Sequence, residues 1–233
     1  MTASRSEQLM PHPYTVLFVG GFAAFRFFRW YFSDQHRNHR ALAGLSTRRI
    51  QDVKAGEVVR IEGRVRALSE VLAAPLTGRT CVHFDLRVEK RTRKGRATEL
   101  VRDVRSVAFD VNDETGTARI EVRSFFATVD LDEETRSDDE LTTPEAQILA
   151  AHGGHERNLL GLRQSLVFRE GVLEDGERVV VVGRARYEDD AEGLIASEGY
   201  RAQSRRKRLV IESHADPVRA SDAVSARAFS HVR

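Results

Sequence analysis

The sequence predicts a mainly β protein with short helices, an OB-like small antiparallel barrel or open sheet behind an N-terminal hydrophobic helix. Three observations predict it. Apolar and polar residues alternate with a period of two in short runs between residues 57 and 213, glycine-marked turns separate the runs, and a dense aromatic stretch precedes them at 13–33. Composition sets the limits: 41% hydrophobic residues suffice to bury a core, and 37 Lys and Arg against 35 Asp and Glu leave no overall field drawing the chain onto nucleic acid or acidic substrates. The single cysteine, Cys81, cannot build an internal disulfide or a RING-type zinc site from this sequence.

After a tail at 1–12, residues 14–32 read YTVLFVGGFAAFRFFRWYF. The uncharged run at 13–25 is shorter than the roughly 20 apolar residues of a full span. Arg26 and Arg29 lie toward its C-terminal end, where long side chains snorkel to headgroups, beside Trp30 and Tyr31, the rings favoured at that interface. A secretory signal would place its positive charge first. Here only Arg5 precedes the run, while Arg26, Arg29, Arg37, Arg40, Arg48 and Arg49 follow it. The positive-inside rule then puts the larger C-terminal part in the cytoplasm. The expectation is a single-pass or interfacial membrane anchor; a buried soluble helix is the alternative. Residues 34–56 read as a polar connector with helical spacing at Leu42, Leu45 and Ile50, ending at Gly56.

From residue 57, Val59, Ile61, Gly63 and Val65 alternate with Arg60, Glu62, Arg64 and Arg66, a strand with one buried face. PLTG at 75–78 is a turn, CVHFDLRV at 81–88 a second strand, KRTRKGR around Gly95 a charged hairpin tip, and 101–111 the return strand. NDETG turns the chain into a strand at 117–122 that carries Ala118, Ile120 and Val122 on one side. Within an acidic insert near 130–160, Thr143 before Pro144 suits an N-cap and first helical position, so a short helix runs to Ala151 and stops at Gly153 and Gly154. Strands follow at 166–169 and 177–186, the latter with four valines that suggest burial on both faces. A last strand falls at 208–211, and a tail at 214–233 turns helical from Ser221.

Three stretches together resemble the GIDE or BAM ("beside a membrane") domain, found in mitochondrial membrane-anchored RING ubiquitin ligases and in many bacterial proteins lacking the RING. They are GRVRALSEVLAAPLTGRTCVHFDLRVEKR, VAFDVNDETGTARIEV and FREGVLEDGERVVVVGRARY, and they cover most of 61–211. The resemblance implies a membrane-adjacent β domain at 57–213, at a bacterial inner membrane or an equivalent surface. It would also imply ubiquitin transfer, but the zinc ligands of a RING are missing from the residues after Ile211. The expected function is therefore a non-catalytic, membrane-anchored cytoplasmic interaction or scaffold module. A subunit of a ubiquitin-like ligase pathway without its own RING is the alternative, and an OB-like nucleic-acid-binding protein the second. The expected partners are membrane lipid, through the N-terminal segment, and a protein; no cofactor or metal is implied.

The motif residues read as structural: Pro75, Gly78 and Cys81 in the first stretch, Asp113, Thr115 and Gly116 in the second, Gly183 in the third. Gly78 and Gly116 fit turns that need positive φ, and Asp113 with Thr115 suits side-chain bonding to turn amides. Gly183 suggests a bulge or a close backbone approach. Cys81 beside His83 shares a strand face and invites a nucleophile reading, but no third orienting group is identifiable, and a packed core cysteine is the plainer account. HGGHE at 152–156 lacks the helical spacing of a metal motif, since two glycines separate His152 from His155. The basic clusters, Arg91, Arg93, Lys94 and Arg96 with Arg205, Arg206, Lys207 and Arg208, suit lipid headgroups or another polyanion. They lack the interleaved aromatics that single-strand binding wants, which disfavours nucleic acid.

Overall fold

The computed structural model describes residues 45–92, 96–131, 133–137, 140–156, 164–189, 207–213 and 217–222. The stretch at 13–33, the connector before residue 45, Arg93, Lys94, Arg205, Arg206 and the helix expected beyond Asp222 lie outside the described residues.

The strands are β1 (Val58–Ala67), β2 (Leu72–Ala73), β3 (Thr80–Cys81), β4 (His83–Arg91), β5 (Ala97–Ser106), β6 (Phe109–Asn112), β7 (Thr117–Ile120), β8 (Phe125–Thr128) and β9 (Glu133–Ser137), then β10 (Ser165–Leu173), β11 (Arg178–Asp189), β12 (Lys207–Glu212) and β13 (Val218–Asp222), with one helix, α1 (Thr143–Ala151), after β9. Five of them close a ring in the order β1-β6-β7-β12-β11, and β11 pairs back onto β1. This is the small OB-like barrel that the alternating runs predict. It is not wholly antiparallel, because β7 and β12 run parallel. The reason is arithmetic: an odd number of strands closed into a ring cannot alternate direction all the way round.

Inward side chains of the ring form the main core: Val59, Ile61 and Val65 of β1, Phe109 and Val111 of β6, Ala118 and Ile120 of β7, Val179, Val181 and Ala185 of β11, and Leu209 and Ile211 of β12. Beyond the ring, β13 pairs along β11 next to β12, and β8 runs parallel to β13. A second sheet, in the order β5-β4-β10-β9, is inserted between the ring strands. Its core joins Phe84, Leu86, Val88, Val101, Leu166 and Phe168 to Ile148 and Leu149 of α1.

The structure departs from the sequence reading in definable ways. The predicted return strand at 101–111 is two strands: β5 ends at Ser106, Val107 N–H donates to Val82 O at 2.9 Å, and β6 enters the ring. The acidic insert holds a strand, β9, whose pattern is obscured because Glu134 serves Arg169 across the strand pair. α1 is capped one residue earlier than expected, with Thr142 N–H donating to the Glu145 carboxylate at 2.7 Å. Residues 45–56 are no free connector: Thr47 bridges to Arg60, and Ile50 and Val53 enter the ring's core. The expected tail at 214–233 contains strand β13 where the helix was to begin, and Val218 and Ala220 extend the core. Its five residues are too short to show a period. The valine strand is buried on both faces as its composition predicts, with Val179 and Val181 inward and Val180 and Val182 outward against Leu45.

At Gly63, β1 and β6 approach so closely that a Cβ would lie 2.4 Å from Asn112 O. Gly63→Ala is therefore expected to lower unfolding stability by about 1–3 kcal/mol, read by denaturant titration; an unchanged midpoint would refute the close approach.

Candidate functional site

The PLTG turn is held by a buried carboxylate. Glu170 of β10 is fully buried and accepts from Leu76 N–H at 2.7 Å, Thr77 N–H at 3.1 Å and Thr77 Oγ1 at 2.6 Å. Pro75 opens this turn, and Gly78 closes it at φ 73°, its N–H donating to Ala74 O. Cys81 follows, packed with Phe84 and Ala74 in the second core, where burial pushes its thiol up to about 11. A thiol so protonated is a poor nucleophile near neutral pH.

His83 sits where the second sheet meets the ring. Its Nδ1 lies 2.8 Å from Ser106 Oγ, and its ring meets Phe125 edge to face at 5.8 Å. Burial pushes the imidazole down to about 4, so it is neutral near pH 7 but a weak base for a thiol as protonated as that of Cys81. Two residues on, burial raises Asp85, but bonds from Arg87 and Arg102 outweigh it and hold the carboxyl below its ordinary value.

The second motif is a clamp. Asp113 Oδ1 accepts from Thr115 N–H, Thr115 Oγ1 and Gly116 N–H, which shapes the turn. Its Oδ2 reaches out to Ile50 N–H at 2.7 Å, and Thr115 Oγ1 accepts from Gln51 N–H at 3.3 Å. These are the first amides of the 3-10 turn Ile50–Asp52, so a hairpin more than sixty residues away caps it, as an N-cap side chain does locally. These bonds overcome burial and keep Asp113 ionised below its ordinary range. Gly116 is required for a reason other than the one expected. Positive φ falls on Glu114, at 73°, whereas a Cβ on Gly116 would lie 2.7 Å from Ile50 Cγ2. Gly183 likewise allows close approach, with Ile211 Cγ2 2.5 Å from a would-be Cβ.

The described members of the two basic clusters stand in different sheets. Arg91 and Arg96 flank the β4–β5 tip in the second sheet. Lys207 and Arg208 open β12 of the ring, directly opposite Asp189 and Glu188, which offset their charge. His152 ends α1, with Nδ1 2.9 Å from Ile148 O and Nε2 3.7 Å from Asp103. No metal-ligating group of three or more occurs among the described residues.

Sequence reasoning missed a different surface. Inward burial of Val59, Ile61, Val179, Val181, Val218 and Ala220 turns Arg60, Arg64, Arg178, Arg184 and Arg219 onto one outward face of β1, β11 and β13. Glu62 is the one carboxylate among outward positions of 58–64, 178–184 and 219–221. The arginines recur at even spacing on both sides of valine runs, a signal that a search for contiguous basic runs passes over. No family model, curated protein or solved structure matches the chain.

Two outcomes follow for this region. Asp113→Ala leaves the Ile50, Thr115 and Gly116 amides without their acceptor and is expected to cost about 2–3 kcal/mol, with limited proteolysis newly cutting at 45–52; an unchanged digestion pattern would refute the clamp. For His83, the folded value lies below the ordinary 6.5, so the unfolded chain binds the proton first as pH falls. Its contribution is complete above pH 6.5 and is lost toward pH 4, by about 3 kcal/mol in all. His83→Gln should flatten that limb of the stability profile, and an identical slope in both proteins would contradict the assignment.

Proposed function

We propose that the chain is a non-catalytic, membrane-anchored interaction module of GIDE type, with its OB-like domain on the cytoplasmic side. The observation that carries this reading is the strap at 45–53. Thr47 extends the sheet beside β1, Arg48 N–H donates to Arg60 O at 2.8 Å, and Ile50 and Val53 are buried in the ring's core. The chain that follows the apolar stretch at 13–33 is thus built into the barrel from residue 45 on, so an anchor there is tethered to the domain through residues 34–44. The residues that resemble the GIDE pattern support the same reading, since the PLTG turn and the Asp113 clamp serve the fold. No helix among the described residues is long and apolar enough to cross a membrane, and the stretch at 13–33 lies outside them.

Nucleic-acid binding finds less support. OB barrels take oligonucleotides across their second and third strands, which are β6 and β7 in this ring. There Asp110 pairs with Arg119, and Arg186 is bonded by Glu121, Glu188 and Glu212. These carboxylates offset the arginines they bond, which weakens the attraction for phosphate.

Fractionation with a reporter fused after Arg233 tests the proposal. The full chain should sediment with membranes and resist alkaline extraction, the reporter should be active on the cytoplasmic side, and deletion of 13–33 should release the protein. A soluble full-length product, or a reporter on the far side, would overturn it.

A further inference from the structure

The outward face of β1, β11 and β13 gathers five arginines, Arg60, Arg64, Arg178, Arg184 and Arg219, around one carboxylate, Glu62. Arg64 and Arg178 stand directly opposite each other across the β1–β11 pair, an arrangement that destabilises a sheet. Both are exposed. The Arg64 guanidinium donates to Gly176 O at 2.9 Å and that of Arg184 to Gly56 O at 2.8 Å. Carbonyl acceptors orient these side chains without neutralising them. One row across the strands runs Thr47, Arg60, Val182, Arg219 and Phe126. Val58, 52% exposed, stands beside Arg184 in the next. Arginines beside the exposed Val58 and the half-buried Phe126 match the headgroup layer of a membrane, where guanidiniums meet phosphates and apolar groups sink slightly deeper.

The strap crosses this same face. Leu45 lies against Val180 and Val182, and the exposed Arg48 and Arg49 adjoin it. The chain toward 13–33 therefore leaves from the arginine side, and residues 34–44 span at most about 40 Å. We infer that the Arg60, Arg64, Arg178, Arg184 and Arg219 face docks the domain against anionic phospholipid headgroups, an inference that rests on the membrane reading above. A single-stranded nucleic acid fits less well, because Phe126 is the one ring among these outward positions and stacking binders present several.

The test uses the full chain with Val58→Cys carrying an environment-sensitive dye, Cys81 being buried, and a Thr117→Cys control on β7. Each is mixed with vesicles of phosphatidylcholine alone or with phosphatidylglycerol added, and both flotation and quenching by lipid-borne quenchers are read. Docking predicts quenching at position 58, not at 117, only with phosphatidylglycerol. Arg64→Gln with Arg178→Gln should lower the docked-to-undocked ratio about 25-fold. That double variant removes a like-charge opposition, so its melting temperature should not fall, which separates lost docking from lost folding. Flotation with both compositions but no phosphatidylglycerol-dependent quenching at 58 overturns the face and leaves the anchor standing. Flotation with phosphatidylglycerol alone, lost in the double variant, upholds the face and overturns the anchor. Flotation with neither overturns both. Salt-sensitive retention of a single-stranded oligonucleotide, lost in the double variant while quenching is absent, overturns lipid in favour of nucleic acid.

Discussion

Strand β1 is hydrogen-bonded along both edges, to β11 from Val58 to Arg64 and to β6 from Arg64 to Ala67, and the ring closes only because one strand serves two neighbours. Closure fixes which side of every strand is inside. Once Val59, Ile61 and Val65 point inward, the even-numbered residues of β1 have nowhere to go but out, and the register with β11 lines their arginines up with those of the next strand. A slip of one residue would bury arginines and expose the valines. The charged face is thus specified by the same constraint that makes the core.

The second sheet hangs on this ring at a few defined points. Val82 N–H donates to Leu173 O and Val107 N–H to Val82 O, so β4, β5 and β10 pass into the ring's edge as a unit. His83, bonded to Ser106 and packed on Phe125, fills that junction with a side chain that stays neutral near pH 7. Glu170 keeps its buried carboxylate satisfied by gathering the PLTG turn over the sheet. A buried carboxylate with its bonds made is a specifying feature of a fold, since any competing arrangement strands a polar group.

Much of this was legible in the sequence because barrel strands with one solvated face advertise a period of two. The alternation of β1 gave both position and facing, and the valines of β11 gave position and burial on both faces. What escaped was non-local. The split of 101–111 depends on a change of partner at Val107, and β9 hides among acidic residues whose counterions lie on β10. The strap looked like a polar connector because only Ile50 and Val53 enter the core, while its amides are satisfied by Asp113 and Thr115 from a distant hairpin. Asp113 and Thr115 were recognisable as turn formers, yet their second task needed coordinates. The arginine face needed the register between β1 and β11, which no single strand contains.

Strap and ring form one cooperative unit, and amide hydrogen exchange under native conditions tests this most directly. The Ile50 and Gln51 amides should be protected to the same free energy as the β1 amides from Val59 to Val65, all opening only with global unfolding. If Ile50 and Gln51 exchange orders of magnitude faster while β1 stays protected, the strap is not part of the barrel and the proposed tether falls with it.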